Sequence, residues 1–303
     1  MSYVYLINES NKLSLNKPAN TNRIYYSELL EWFTNNAFRS FSIKFVVQGT
    51  IYYRCENKEY KVQQDHFLLT SKQPFAQAYF DSRQPVKSVC IDICPSSLAE
   101  AYTLLHSKGN LDPENFISGY FDHPHFFEHV YNVKESIFGK QLQKLSYALR
   151  NRYYQPDIIN EEWFLQLVEL IVLQEKKNYC SLNGIVAKKI TTRKEIFERL
   201  LRGKQYMDAC YTQNPDIATV AQNCNLSTFH FFRSFKQAFG ISPYQYMMEL
   251  RLKYAKQLMQ NENYSLTDVA STCGFPDLFT FSKAFKREYG IAPSKYQNAS
   301  LFQ

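Results

Sequence analysis

The sequence predicts an α+β protein: an N-terminal β-barrel with accessory helices, followed by an all-α domain. Short runs rich in Ile, Val, Tyr and Phe fill roughly the first 95 residues. In the last third, a helix-turn-helix pattern occurs twice and is joined by one long helix. At 303 residues the chain is long enough for two domains with separate cores. We expect these domains at 1–178 and 191–303, with a linker at 179–190.

The β-region is predicted from short apolar runs that are separated by turn residues. Examples are residues 42–47, 50–55 and 86–93, with Gly49 between the first two. Six or more short strands with close turns are typical of a small barrel or sandwich. The aromatic residues of this region either line an apolar pocket or pack in the core; they include Tyr52, Tyr53, Phe67, Phe75, Tyr79 and Phe80.

Accessory helices are predicted after the strands. A serine cap begins a helix at 96–105, and a second helix is expected at 126–153, with Gly139 as a weak point. Residues 160–177 are apolar on most sides, so this helix must be covered all round. Packing against the barrel and a dimer interface are both compatible with that requirement.

The first helix-turn-helix is predicted at residues 216–240. Its first helix carries one apolar stripe, Asn225 tolerates the left-handed backbone of the turn, and Ser227 caps the second helix. Two faces are expected on the second helix. Its inward face contains Phe231, Ser234, Phe235 and Phe239, and its outward face contains Phe229, Phe232, Arg233 and Lys236.

The same pattern recurs about 50 residues later. A shift of 49 brings Val220, Ala221 and Cys224 onto Val269, Ala270 and Cys273. After the turn the shift is 50, and it matches Phe231, Phe235, Lys236, Gly240, Ile241, Pro243 and Tyr246 with Phe281, Phe285, Lys286, Gly290, Ile291, Pro293 and Tyr296. The second turn therefore contains one additional residue. A repeat of this kind indicates two copies of one structural unit.

A long helix is predicted between the copies. Ser242 caps it, Pro243 occupies its first turn, and apolar residues recur every four positions up to Leu258. About 19 residues span roughly 28 Å, which is close to the spacing of about 34 Å between successive major grooves of a duplex. Two reading helices could therefore lie in adjacent grooves on one side of the duplex.

At these residues, over roughly 195–298, the sequence resembles the AraC/XylS family of transcription regulators. The resemblance implies that one helix of each unit faces the DNA bases. The base-contact candidates are Thr228, Phe229, Phe232, Arg233, Phe279, Thr280 and Lys283. Phe232 and Phe279 stand where the family commonly has polar residues, and Lys283 stands where it usually has Arg. The alternative is that these two phenylalanines pack within the protein and the basic residues only hold phosphate.

The charge distribution favours a polyanionic partner, double-stranded DNA. The net charge is +7, and residues from Ile190 onward carry 14 Lys/Arg against 9 Asp/Glu. The remaining 189 residues carry 21 against 19, so the excess lies mainly in the repeat domain. The phosphate-contact candidates are Lys236, Lys286, Arg287 and Lys295.

Other classes of protein are disfavoured. Seven cysteines with no Cys-x-x-Cys pair indicate a reducing compartment, and the N-terminus has no export signal. The densest apolar run, 163–173, is too short to span a bilayer. We therefore expect a cytoplasmic protein with no membrane partner.

Three histidines and a glutamate lie close together between residues 123 and 129. His123, His125, Glu128 and His129 resemble a cupin metal cluster, but they follow the predicted barrel and include a proline. We interpret them as a helix-entry cluster. No catalytic constellation or phosphate loop stands out, so we expect no metal, no cofactor and no enzymatic activity.

The family resemblance implies a sequence-specific transcription regulator, and an activator because most members are activators. It also implies a cupin-like barrel that senses a small-molecule effector, a homodimer, and RNA polymerase as a partner. One alternative is a DNA-binding regulator without ligand control, whose barrel serves oligomerisation or partner docking. A more distant alternative is a cupin-type metalloenzyme. The sequence specifies neither the effector-binding residues nor the operator.

Overall fold

The structure is a computed structural model that describes residues 3–12, 21–55, 58–105, 121, 126–151, 159–260 and 264–300. It divides into two compact units, Met1–Tyr179 and Cys180–Gln303. The first unit is built on a β-sheet with helices after it, and the second is helical throughout its described residues. The predicted order of a β-rich region followed by a helical region is confirmed.

A single mixed sheet organises the first unit. Its strands are β1 Val4–Ile7, β2 Arg23–Thr34, β3 Phe41–Gln48, β4 Thr50–Cys55, β5 Lys58–Gln63, β6 His66–Thr70, β7 Gln77–Ile93 and β8 His129–Asn132. The order is β1-β2-β7-β3-β6-β8, and β4 pairs with both β5 and β7. Strand β1 is parallel to β2, and the other pairs are antiparallel.

Strand β7 bends the sheet because it changes neighbours along its length. Its residues 87–93 pair with β3, whereas residues 77–79 pair with β4. Strand β2 follows β7 over both parts, with an irregularity between Leu29 and Glu31. The sheet thereby curls over a core of buried side chains that includes Val46, Ile51, Val62, Leu68 and Val86.

The first unit also contains α1 Pro95–Leu105, α2 Gly139–Arg150 and the greater part of α3 Glu161–Gly184. The prediction of one helix over 126–153 is wrong at its start. Residues 129–132 form β8, which pairs with β6, and a 3-10 turn follows at Val133–Glu135. Gly139 begins α2 rather than weakening its interior, and a Cβ there would lie 1.7 Å from the Val133 carbonyl oxygen. The predicted end of this helix, at residue 153, lies outside the described residues.

Helix α3 is longer than the 160–177 that the sequence predicts. It continues to Gly184, so residues 179–184 of the expected linker are helical. Its side chains Phe164, Leu167, Val168, Ile171 and Val172 are buried within the single chain, whereas Leu173 is exposed. Intramolecular packing therefore accounts for one face of this helix.

The second unit contains seven described α-helices, namely α4 Ile190–Cys210, α5 Ile217–Asn223, α6 Thr228–Phe239, α7 Pro243–Leu258, α8 Leu266–Thr272, α9 Leu278–Tyr289 and α10 Pro293–Ser300. The connecting helix α7 has 16 residues, so its length is about 24 Å. Ser242 begins it with a capping box: its hydroxyl accepts from the Gln245 N–H at 3.2 Å, and its own N–H donates to the Gln245 side chain at 2.8 Å.

The repeat is larger than the two helix-turn-helix units. A shift of 52 places α4 on α7 and matches Leu200, Lys204 and Met207 with Leu252, Lys256 and Met259. The same shift places Gly203 on Ala255. Gly203 faces Phe231 and Cys224, and Ala255 packs in one cluster with the corresponding Phe281 and Cys273. Each copy is therefore a three-helix unit, α4-α5-α6 and α7-α8-α9.

All seven cysteines lie in the described part of the chain, and none is in a disulfide. Among the described residues, every helix is too short or too polar to cross a bilayer.

Candidate nucleic-acid interface

The turn of the first helix-turn-helix is held by backbone and side-chain hydrogen bonds. Asn225 adopts φ of 55°, in the left-handed region that asparagine tolerates. The Leu226 N–H donates to the Ala221 carbonyl at 3.0 Å and ends α5. The Ser227 hydroxyl accepts from the His230 N–H at 3.3 Å and begins α6. The predicted turn and cap are both present.

The second turn repeats this arrangement with one insertion. Gly274 takes the place of Asn225 with φ of 79°, and the Phe275 N–H donates to Ala270 at 2.9 Å. Asp277 caps α9 by accepting from the Thr280 N–H at 2.6 Å. Since Phe275 matches Leu226 and Asp277 matches Ser227, the additional residue is Pro276.

The inward faces of α6 and α9 fix how these helices are oriented. Phe231 and Phe235 are fully buried, with ring centroids 5.5 Å apart. Phe281 and Phe285 are equally buried, at 5.6 Å. Because these faces are held by the core, the opposite faces of both helices point away from it.

On α6 the outward face combines aromatic and basic side chains. Thr228, Arg233 and Lys236 are exposed, and Phe229 is 76% exposed. Phe232 is 37% exposed, with its ring centroid 6.5 Å from that of Tyr244. A shallow groove runs along this face between the phenylalanines, Arg233, Lys236 and Gln237.

On α9 the equivalent face has the same character. Phe279 is 77% exposed, Lys283 is exposed, and Thr280 is half-buried. Exposure of Phe279 excludes the alternative in which it packs within the protein, whereas Phe232 does make a partial internal contact with Tyr244. The structure therefore places the base-contact candidates on one outward face of each helix, apart from the half-buried Thr280.

Three of the four phosphate-contact candidates lie in the last turns of the same two helices. Lys236 is in the last turn of α6, and Lys286 and Arg287 are in the last turn of α9. Lys295 is on α10, and all four side chains are exposed. Cations near a helix C-terminus are also favoured by the helix dipole.

Positioning residues beneath this surface were not predicted from the sequence. Arg251 of α7 is buried, and its Nε donates to the Tyr211 carbonyl at 2.7 Å. Desolvation lowers the pKa of Arg251. The ammonium of Lys204 lies 5.1 Å from the Tyr246 ring, and that of Lys256 lies 5.2 Å from the ring of Tyr296, which matches Tyr246. The shift of 52 that places Lys204 on Lys256 is the sequence signal from which these two equivalent contacts could have been predicted.

The first unit has a cavity of about 100 Å³ within the curled sheet. Tyr53 and Phe80 line it and also pack in the core cluster of the sheet, so both of the alternatives expected from the sequence apply to them. Lys44 lies at its wall, with Nζ 3.0 Å from Cys90 Sγ and 3.8 Å from Asp92 Oδ1. Burial raises the pKa of the Cys90 thiol to about 11, so Lys44 donates to a neutral sulfur.

The other aromatic side chains named in the β-region lie in three different environments: the core, a stacked pair and the solvent. Phe67 is fully buried and packs on Tyr131 and Phe138. Tyr52 and Tyr79 stack on each other at 5.6 Å, and Phe75 is 86% exposed.

Among the described residues, no group of three or more His, Cys, Asp or Glu side chains converges. His123 and His125 lie outside those residues. The Glu128 carboxylate accepts from Ser71 Oγ at 3.0 Å and from the Gln73 amide. The helix-entry interpretation is wrong for His129, which is on strand β8 and packs against Phe127 and Tyr131.

Comparisons with known proteins find a helix-turn-helix domain and relatives named as regulators. A family model described as "Helix-turn-helix domain" matches residues 220–299. The probable transcriptional regulator LumQ of Photobacterium leiognathi is 36% identical over 30% of this chain, but over only 37% of its own length. The virulence regulon transcriptional activator VirF of Yersinia enterocolitica is 24% identical over 82% of this chain and 86% of its own.

A solved structure of an apo ToxT variant from Vibrio cholerae is 16% identical and covers 93% of this chain and 99% of that one. Its TM-score of 0.38 is too low to define a common fold over the whole chain. The relatives are named as transcription regulators, which agrees with the expectation of a protein that is not an enzyme.

Proposed function

We propose that the chain is a sequence-specific DNA-binding transcription regulator whose C-terminal unit, which matches a helix-turn-helix model over residues 220–299, is a DNA-binding domain of the AraC type. The observation that supports this most directly is the duplicated outward face of α6 and α9. Both faces combine exposed phenylalanine with lysine or arginine, on helices whose opposite sides are fixed by buried phenylalanines. Helices of this arrangement enter the major groove in helix-turn-helix proteins.

In this proposal α6 and α9 enter neighbouring major grooves of one duplex. Arg233 and Lys283 reach base edges, because a basic side chain can donate to guanine N7 and O6. Thr228, Phe229, Phe232, Phe279 and Thr280 complete the base-facing set. Lys236, Lys286, Arg287 and Lys295 hold phosphates, which supply affinity without sequence information.

Fluorescence anisotropy tests this proposal. The full chain is titrated against a labelled duplex recovered from a random-sequence pool, and against a scrambled duplex of equal length. We expect tighter binding to the recovered duplex, and weaker binding to both as salt is raised. Equal affinity for the two duplexes would contradict sequence-specific recognition.

We also propose that the first unit is a cupin-like sensor domain and that its cavity binds a small-molecule effector. The support is a cavity that combines aromatic walls with polar groups, including Tyr53, Phe80, Lys44 and Asp92. Ligand sites in proteins typically have this mixture of apolar walls and a few converging polar groups.

One observation favours a second candidate, a regulator without ligand control whose sheet domain serves oligomerisation or partner docking. The cavity is about 100 Å³, whereas typical small-molecule sites occupy about 300–1,000 Å³. An effector that binds in this cavity would therefore have to be very small or would have to open the cavity further.

A thermal-shift screen of small metabolites distinguishes the two candidates. A ligand that binds only the folded state at one hundred times its Kd stabilises it by about 2.7 kcal/mol. Effector control predicts a raised Tm for the full chain, and loss of that rise when Tyr53→Ala or Lys44→Met alters the cavity wall. If no polar, anionic or apolar metabolite raises the Tm, the ligand-independent regulator is favoured.

The remaining parts of the proposal concern partners. We propose a cytoplasmic homodimer in which the exposed side of α3, including Leu173, contributes to the interface, and an activator that contacts RNA polymerase. The name of VirF as an activator supports the direction of regulation. A reporter gene placed under the recovered duplex should give more transcript when the full chain is present, and less transcript would indicate a repressor.

A further inference from the structure

Two phenylalanines occupy the same position in the two copies of the repeat. Phe229 is the second residue of α6, Phe279 is the second residue of α9, and a shift of 50 brings one onto the other. Their exposures are 76% and 77%. Both therefore place a large apolar side chain in solvent at the helix end that contacts base edges in helix-turn-helix proteins.

The surroundings of these rings are basic. Arg233 and Lys236 follow Phe229 on the same face of α6, and Lys283 follows Phe279 on α9, with Lys286 beyond it. Basic side chains predominate on these faces, although Asp277 caps α9 beside Phe279, and this balance suits a polyanion better than an apolar protein surface. Phe232 differs from the pair, because Tyr244 partly covers it and Ser282 replaces it in the second copy.

We infer that Phe229 and Phe279 each recognise the 5-methyl group of a thymine in the major groove; this rests on the proposed DNA-binding function. A phenyl ring has no hydrogen-bond donor or acceptor for a base edge, and the thymine methyl is the apolar group that the major groove presents. The two contacts fall about one helical turn apart, roughly 10 base pairs, if adjacent grooves are read. The preferred operator thus has thymine at two such positions.

Replacement of thymine by deoxyuridine tests this inference, because deoxyuridine pairs with adenine in the same way and lacks only the methyl group. The full chain is first used to recover a duplex from a random-sequence pool. Each thymine of that duplex is then replaced in turn, and the Kd is measured by fluorescence anisotropy. We expect two positions at which the replacement weakens binding about fourfold, the value of one buried methyl group.

Variants assign each methyl contact to its ring. Phe229→Ala should abolish the deoxyuridine penalty at one position and retain it at the other, and Phe279→Ala should do the reverse. Both side chains are exposed, so neither truncation should affect folding. Phe75→Ala is the matched control, because Phe75 is 86% exposed but belongs to the first unit. It should retain both penalties.

The outcomes separate this inference from the proposed function. If the recovered duplex binds equally well with every thymine replaced, the methyl contacts are absent although DNA recognition stands. If the penalties persist in the alanine variants, another residue makes the contact and the inference is overturned. If no duplex is enriched from the pool, the proposed function itself fails.

Discussion

At the scale of single residues, Arg233 and Lys286 are expected to contribute to DNA binding in different ways. Arg233 is on the outward face of α6, the face that we propose reads base edges, and Lys286 is in the last turn of α9. Arg233→Ala should lose about 1–3 kcal/mol of discrimination between recovered and scrambled duplexes, whereas Lys286→Ala should weaken both alike. Competition titrations measure the two ratios. Equal loss of specific and non-specific binding in Arg233→Ala would contradict its base-reading role.

Gly274 is required both by its backbone conformation and by its neighbour. Its φ is 79°, and a Cβ would lie 2.3 Å from the Thr212 carbonyl oxygen. Gly290 has a similar φ of 76° with nothing near its Cβ position, which makes Gly290→Ala a matched control. Gly290→Ala should cost about 1 kcal/mol from backbone strain alone, and Gly274→Ala should cost clearly more in chemical denaturation. Equal costs would show that the Thr212 contact is not limiting.

His129 should make the first unit sensitive to acid. Burial, with a smaller contribution from Lys58, lowers the pKa of His129 to about 4. Between that value and the ordinary histidine pKa of about 6.5, the unfolded chain binds more protons than the folded chain. The free energy of unfolding should therefore fall as the pH is lowered through this range. Denaturation at a series of pH values should show a shallower fall in His129→Gln, and an unchanged slope would contradict this origin.

Much of the candidate site could be predicted at the residue scale because helical periodicity separates inward from outward positions. Phe231 and Phe235 are buried, and Phe229 is exposed, as the spacing indicated. The contact of Phe232 with Tyr244 could not be predicted, because it depends on how α6 and α7 lie against each other.

At the scale of elements, the capping box of α7 holds the start of the helix that connects the two reading units. Ser242 makes both of its hydrogen bonds with Gln245. Ser242→Ala should lower the free energy of unfolding by about 1 kcal/mol. Ser242→Thr keeps a hydroxyl at this position and should retain most of that stabilisation. Urea denaturation of the full chain, followed by the helical signal, measures both variants. Equal destabilisation by alanine and threonine would exclude the hydroxyl as the cause.

The elements that the sequence failed to predict depend on distant pairing. Residues 129–132 have no strong strand pattern of their own, and they become β8 because β6 offers a free edge across about 60 residues of chain. Equivalence of α4 and α7 was also missed, because Gly203 replaces Ala255 and few identities remain. By contrast, helices α5, α6, α8 and α9 are predicted from local signals, namely apolar residues at helical spacing and capping residues at the helix ends.

At the scale of the whole molecule, positive charge is concentrated in the second unit, and DNA affinity should depend steeply on salt. Four candidate phosphate contacts predict a slope of about −3.6 in log K against log salt concentration, or about −0.9 for each contact. Removal of one contact, as in Lys236→Ala or Lys295→Ala, should reduce the slope by about 0.9. Anisotropy titrations at several salt concentrations measure it. The exposed Lys61 of the first unit provides a control, since Lys61→Ala should leave the slope unchanged.

The two copies of the repeat share Phe229 and Phe279 on their outward faces but differ at other positions. Arg233 corresponds to Lys283, Phe232 corresponds to Ser282, and Pro276 is present in one turn only. A chain with two unlike reading helices in fixed order distinguishes the upstream end of its target from the downstream end. Under the proposed function, the binding site therefore has polarity and need not be a palindrome, so inverting the site should turn the bound protein to face the opposite way along the chromosome.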